Sequence, residues 1–215
     1  MKELPRRLWH IFAGLPFPVA GLLAPHDIFL PVLISIMIGA LILDMVRLMS
    51  PRVNRRFITV FRPLLREGEI PRLNGSTYFL IAASIVFIFC DQPIAAIALV
   101  FVVVGDPLAG IVGERWAKPR VSSEEQKISE ARKFPRYLRF RGARGKSLEG
   151  SVACLVVCLV VGVMLAAVTD IPLWVVVVGA ISAAVTEFVS LWVNDNLSVP
   201  LVAAGIMSLF QAIVG

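Results

Sequence analysis

The chain is a succession of apolar stretches, each of about 15 to 23 residues, separated by short polar joints. Runs of that length do not all fit inside a soluble domain of 215 residues, and 58% of the residues are hydrophobic against 17% charged. The pattern is that of an all-α, polytopic integral membrane protein, because a helix satisfies its own backbone hydrogen bonds in hydrocarbon. A transmembrane barrel would alternate with a period of two, and that alternation is absent. Seven spans are expected, near 8–24, 28–47, 77–90, 94–112, 147–168, 171–193 and 198–214, making one membrane-embedded domain of residues 1–215. Basic residues precede the first run, as in a signal peptide. Pro16 and Pro18 interrupt that run and no small-residue cleavage site follows, so it reads as a mature span. The seventh span opens at Ser198 as its N-cap, with Pro200 in its first turn.

The basic residues orient these spans. All 21 Lys and Arg fall in three segments: three in the N-terminus, seven in the second connection and eleven in the fourth. With seven spans, every one of them lies on the same side. The positive-inside rule then places the N-terminus in the cytosol and the C-terminus outside. The net charge of +6 is thereby explained by membrane orientation and phosphate attraction rather than by nucleic acid. In the second connection, Val53, Phe57, Val60, Phe61 and Leu64 recur at helical spacing with Arg55, Arg62 and Arg66 opposite. This predicts a helix in the membrane interface, kinked at Pro63. The three cysteines make no disulfide framework, and Cys154 with Cys158 read as small packing residues.

Ionisable groups inside spans cost free energy and need a reason. Asp44, Asp106, Glu149 and Glu187 all fall near span ends on the expected cytosolic side, and Asp195 and Asn196 follow Glu187. His10 and the run Asn74–Thr77 share that level. A transport path would set polar groups along its whole depth, whereas these stop part way, which favours a one-sided site. Asp106, Gly110 and Gly113 lie on one helical face, and Gly105 precedes them. Glycines beside an acid admit a ligand or another backbone, though glycines in spans also serve helix packing. Lys146 and the free N–H groups that open the fifth span at Ser147, Glu149 and Gly150 make an anion site. RGARGKS is not a Walker A loop, because Phe140 stands where that loop needs glycine and no strand precedes it. The rest of the basic loop also suits orientation and anionic-lipid contact.

The elements RRLWHIFAG, NGSTYFL, GDPLAGIVG, GKSLEGSVA and Glu187 followed by DNLSVP cover nearly the whole chain. In that order they resemble the membrane kinases that phosphorylate lipid alcohols with CTP. This is the dolichol kinase, phytol kinase and CTP-dependent diacylglycerol kinase group, related to the phosphatidate cytidylyltransferases. The resemblance implies a cytosol-facing CTP site, Mg²⁺ and a lipid-alcohol acceptor, while the charge placement gives no nucleic-acid partner. Asp106, Lys146 and Glu187 are the expected catalytic residues, with Asp106 and either Asp195 or Glu187 on the metal. Gly105, Gly110, Gly113, Lys146, Ser147, Glu149, Gly150 and Asn196 are expected around the nucleotide, with His10 and Asn74 as further contributors. The compact chain is nearer a phytol or prenol kinase than a long dolichol kinase, and a prokaryotic cell membrane is the default location. A cytidylyltransferase is the enzyme alternative, and a small transporter or scaffold the alternative outside enzymes.

Overall fold

The computed structural model describes residues 4–61, 72–116, 148–189 and 193–214, which are helical almost throughout, with no strand among them. In chain order they form α1 (Leu4–Gly14), α2 (Pro16–Leu23), α3 (His26–Met49), α4 (Pro51–Phe61) and α5 (Gly75–Phe89). Then come α6 (Gln92–Trp116), α7 (Leu148–Ala166), α8 (Leu173–Val189) and α9 (Asp195–Val214). Helices α3, α6, α7 and α9 are long and apolar enough to cross a membrane. Helices α5 and α8 are apolar but shorter, at 15 and 17 residues.

Two boundaries differ from expectation. The first expected span is two helices, because Pro16 and Pro18 lack the N–H groups that would continue one ladder. Only the bonds from Leu15 N–H to Ile11 O (2.9 Å) and from Val19 N–H to Leu15 O (3.3 Å) tie the junction. The last helix starts before Ser198. Asn194 Oδ1 accepts the Asn196 N–H at 3.0 Å, and the Asn194 carbonyl accepts from Leu197 and Ser198. Asn194 therefore opens α9, Ser198 lies inside it, and Pro200 falls beyond the first turn.

Helix α6 is the axis of the bundle. It packs against α1, α2, α5, α7, α8 and α9. Of its apolar window 72% is buried, against 17% for α3, 22% for α7 and 33% for α9. Every residue of α6 from Ile94 to Val103 is buried. The surrounding helices turn apolar faces outward: Ile28, Val32 and Ile36 recur one turn apart on α3, and Val152, Val156 and Val160 do so on α7, all exposed. An apolar belt of this kind belongs in lipid, not water.

Lipid tails are as apolar as the side chains, so close packing holds such helices together. Gly21 of α2 faces the Phe87 ring of α5 so closely that a Cβ has no room. That ring is itself set edge-on against Phe29 at 4.8 Å and cannot swing away like a flexible chain end. Gly21→Ala is expected to cost about 1–3 kcal/mol through overpacking. A denaturation midpoint unchanged from the parent would count against this packing.

The two ends of the bundle differ in chemistry. At one end, Gln92 Nε2 donates to the carbonyls of Gly21 and Ala24, and Gln211 Nε2 donates to Asp91 Oδ2 at 3.1 Å. At the other end meet the start of α1, the end of α3, the start of α5, the end of α6, the start of α7, the end of α8 and the start of α9. The contacts that join them are Arg7 with Gly110, Asp44 with Asn74, Asn196 with Gly75, and Ser151 with Glu187.

Candidate functional site

Helix α6 brings Gly105, Asp106, Gly110 and Gly113 to that second end. Gly105 is buried, and a Cβ there would lie 3.0 Å from both the Cys154 and Cys158 sulfurs of α7. The glycine lets α6 and α7 close up just before the acid. Asp106 is half-buried. Pro107 follows it inside the helix and removes the N–H that would have bonded Val103 O. The backbone is therefore loosened beside the carboxyl group. One turn further, a Cβ on Gly110 would lie 2.8 Å from the Arg7 Cζ, so the guanidinium of α1 lies flat on the glycine. Asp106 and Gly110 share a face of α6, which sets Arg7 about one turn from the acid along that face. Gly113 is half-buried on the same side.

Helices α7 and α8 supply the next wall. Gly150 is buried, and Ser151 donates to Glu187 Oε2 at 3.0 Å. Glu187 is 4% exposed. Both it and Asp106 lie within electrostatic reach of the Cys154 thiol, so the two carboxylates share one neighbourhood. Thr186 is turned back onto its own helix, donating to Ser182 O at 2.7 Å. Asp195, 3% exposed, sits in the first turn of α9, where the helix dipole favours an acid. Its neighbour Asn196 donates from Nδ2 to Gly75 O at 2.9 Å and so ties α9 to the start of α5.

The other expected residues take varied places. Asn74 holds the N-cap position of α5, adjoining the carbonyl that Asn196 grips. His10 is half-buried and sets its ring edge-on to Phe79 at 6.3 Å, one turn along α1 from Arg7. Glu149 is exposed in the first turn of α7. Lys146 and Ser147 lie outside the described residues.

Asp44 has a structural task. It is 2% exposed, and Arg47 beside it is fully buried. Asp44 Oδ1 accepts from Arg47 Nε at 3.0 Å, while Oδ2 accepts the Asn74 N–H and the Thr77 hydroxyl, each at 2.7 Å. Arg47 also donates to Arg72 O at 2.6 Å and to Asn54 Oδ1 at 3.4 Å, and stacks over the Phe57 ring at 4.9 Å. This clasp joins α3, α4 and the start of α5.

Sequence reasoning did not single out Arg7, Ser151 or the Arg47 clasp. Arg7 stood only among the basic residues before the first span and Ser151 only within the GKSLEGSVA element. The available signal was weak: a charge three residues after a span acid for Arg47, and a glycine in register on a distant helix for Arg7.

Among the described residues, no group of three or more His, Cys, Asp or Glu forms a ready metal cage. Mg²⁺ does not need one, since it is commonly held by one or two carboxylates with substrate phosphates and water completing its shell. Buried Glu187 and Asp195 and half-buried Asp106 are hard oxygen donors of the kind it takes.

A helical membrane bundle with carboxylates, a guanidinium and small residues gathered at one end is a membrane protein with a polar site at its boundary. Over 227 residues it is 28% identical to CTP-dependent diacylglycerol kinase 1 of Schizosaccharomyces pombe, covering 97% of this chain and 94% of that protein. It is also 28% identical over 160 residues to CTP-dependent diacylglycerol kinase 1 of Eremothecium gossypii, covering 72% of this chain and 43% of that one. Both likenesses are to CTP-dependent lipid kinases, the group that the sequence elements resemble. No family model and no solved structure matches it.

Proposed function

We propose that this protein transfers the γ-phosphate of CTP to the hydroxyl of a membrane lipid alcohol. The reading is supported by one coincidence: the described motif residues lie toward a single end of the bundle, in a chain similar along its length to a CTP-dependent diacylglycerol kinase. Diacylglycerol is the first acceptor to test, because both relatives carry it in their names; phytol and other prenols come next. Both relatives are fungal and lend no support to a prokaryotic membrane. The chain crosses the bilayer seven times in this reading, with α1 and α2 together making the first pass and the site facing the cytosol. Buried hydrocarbon from Ile94 to Val103 on the central helix favours a one-sided enzyme over a transport path.

Phosphoryl transfer calls for positioning and charge neutralisation more than for covalent chemistry. Asp106, with Asp195 or Glu187, would hold Mg²⁺, which when bound screens the nucleotide phosphates. Arg7, seated on Gly110, faces the same region and would neutralise charge on the transferred group. Lys146, Ser147 and the N–H groups that open α7 would hold the remaining phosphates, with Gly105, Gly113, Glu149, Gly150 and Asn196 lining the nucleotide site. Ser151 keeps the Glu187 carboxylate aimed. His10 and Asn74 stand at the edge.

The deciding experiment supplies purified protein in detergent with Mg²⁺, a lipid panel, and CTP labelled at the α or the γ position. Label reaching the lipid from the γ position supports the kinase. Label from the α position with phosphatidate supplied means a cytidylyltransferase, and no transfer from any donor removes the enzyme reading.

Gly110→Ala tests the seat of Arg7. The new methyl displaces the end of a flexible side chain, so thermal stability should stay near the parent's. Turnover should fall by about 10- to 100-fold, as misplacement of a positioned group does. Parent-like turnover would remove Arg7 from the site.

A further inference from the structure

Helix α4 presents two faces of opposite character. Arg52, Arg55 and Arg56 stand at i, i+3 and i+4 on one face, all exposed, and its first turn holds no acid. The other face carries Val53, Phe57 and Phe61, with the two phenylalanine rings 4.7 Å apart. Phe57 rests on the Arg47 guanidinium, and Asn54 accepts from it. Val60 and Phe61 remain 69% and 40% exposed, beyond the reach of that seat. Helix α4 begins directly after Ser50, where the long apolar α3 ends, so it starts at the membrane boundary.

We propose that α4 docks on the bilayer surface and selects anionic lipid headgroups. Its exposed valine and phenylalanine enter the acyl boundary while the three arginines meet lipid phosphates. A purely polar anionic partner such as a nucleic acid would leave the apolar flank without a counterpart. The docked helix presses on Arg47, which reaches Arg72 O and, through Asp44, the N–H of Asn74 at the start of α5. Lipid charge is thereby linked to the end of the bundle where the candidate site lies. The inference goes beyond the kinase reading and does not need it.

Backbone hydrogen exchange of the whole protein in lipid nanodiscs tests this without an activity assay. Discs of phosphatidylcholine alone are compared with discs holding 30% phosphatidylserine, a composition of about the anionic content that attracts basic segments. Each basic residue near such a surface contributes about fivefold to association. Exchange of amides 52–61 should therefore slow by about tenfold or more in the anionic discs, with the α7 amides serving as the unchanged reference. Raising salt should reverse the slowing in the parent protein, because exposed charges are screened. The triple substitution Arg52→Gln, Arg55→Gln and Arg56→Gln should abolish it. Equal exchange in both lipids, slowing that survives high salt, or slowing retained by the triple variant would each overturn the proposal. The salt comparison on the parent decides the matter even if the variant does not fold.

Discussion

Asp106→Asn should lower phosphotransfer by about a thousandfold or more while leaving the helical bundle assembled. The side chain is half-buried beside Pro107 within α6, toward the end where Arg7, Glu187 and Asp195 also lie. Asparagine keeps the volume and one oxygen but loses the charge that would hold a divalent cation. The substitution should therefore act on turnover and metal dependence rather than on packing. Two measurements belong together: lipid labelling from γ-labelled CTP across a Mg²⁺ titration, and the thermal midpoint in the same detergent. A variant that turns over normally would remove Asp106 from the metal site. Loss of turnover with an equal loss of stability would make it a structural residue.

The Asp44–Arg47 clasp carries the second large effect, and it should appear in stability first. Both residues lie within the last two turns of α3 and both are buried. Asp44→Asn takes a charged partner away from a fully buried guanidinium and weakens acceptance of the Asn74 N–H and the Thr77 hydroxyl. Breaking one side of a buried pair costs about 3–5 kcal/mol. For a chain of this size that is a fall in midpoint of about 10 °C. Replacing both residues with apolar ones, Asp44→Leu with Arg47→Met, should cost less than either single change, because no charge is stranded. A double variant no better than the singles would show that the bonds to Asn74, Thr77 and Arg72 matter more than the ion pair. If Asp44→Asn kept full stability yet lost turnover, Asp44 would belong to the site instead.

Much of the architecture was legible along the chain. The lengths of the apolar runs marked α3, α6, α7 and α9, because about 20 apolar residues in sequence is a one-dimensional quantity. The amphipathic spacing of Val53, Phe57, Val60 and Phe61 marked α4. Pro16 and Pro18 mark the break between α1 and α2, but the apolar run continues across them and by length alone reads as one span. The start of α9 was missed because Ser198 and Asn194 are both good caps, and only the observed bonds to Asn194 choose between them.

The site divides in the same way. Composition and motif order set the acids near span ends, and Asp106, Glu187 and Asp195 lie in the C-terminal part of α6, the last turn of α8 and the first turn of α9. Placing an acid near the end of an apolar run needs only its distance along the chain. Choosing its partner needs the rotation of each helix about its axis and the neighbour it meets. Asp44 and Glu187 look alike in sequence, each an acid near a span end, yet one closes on Arg47 and Thr77 and the other on Ser151. Arg7 and Gly110 are joined only because α1 packs along α6. Run length and charge placement thus determined the class of protein and the end that carries its polar residues. Tertiary packing decided which of those residues support the structure and which face the site, because contacts between distant helices depend on rotation and pairing that no local pattern records.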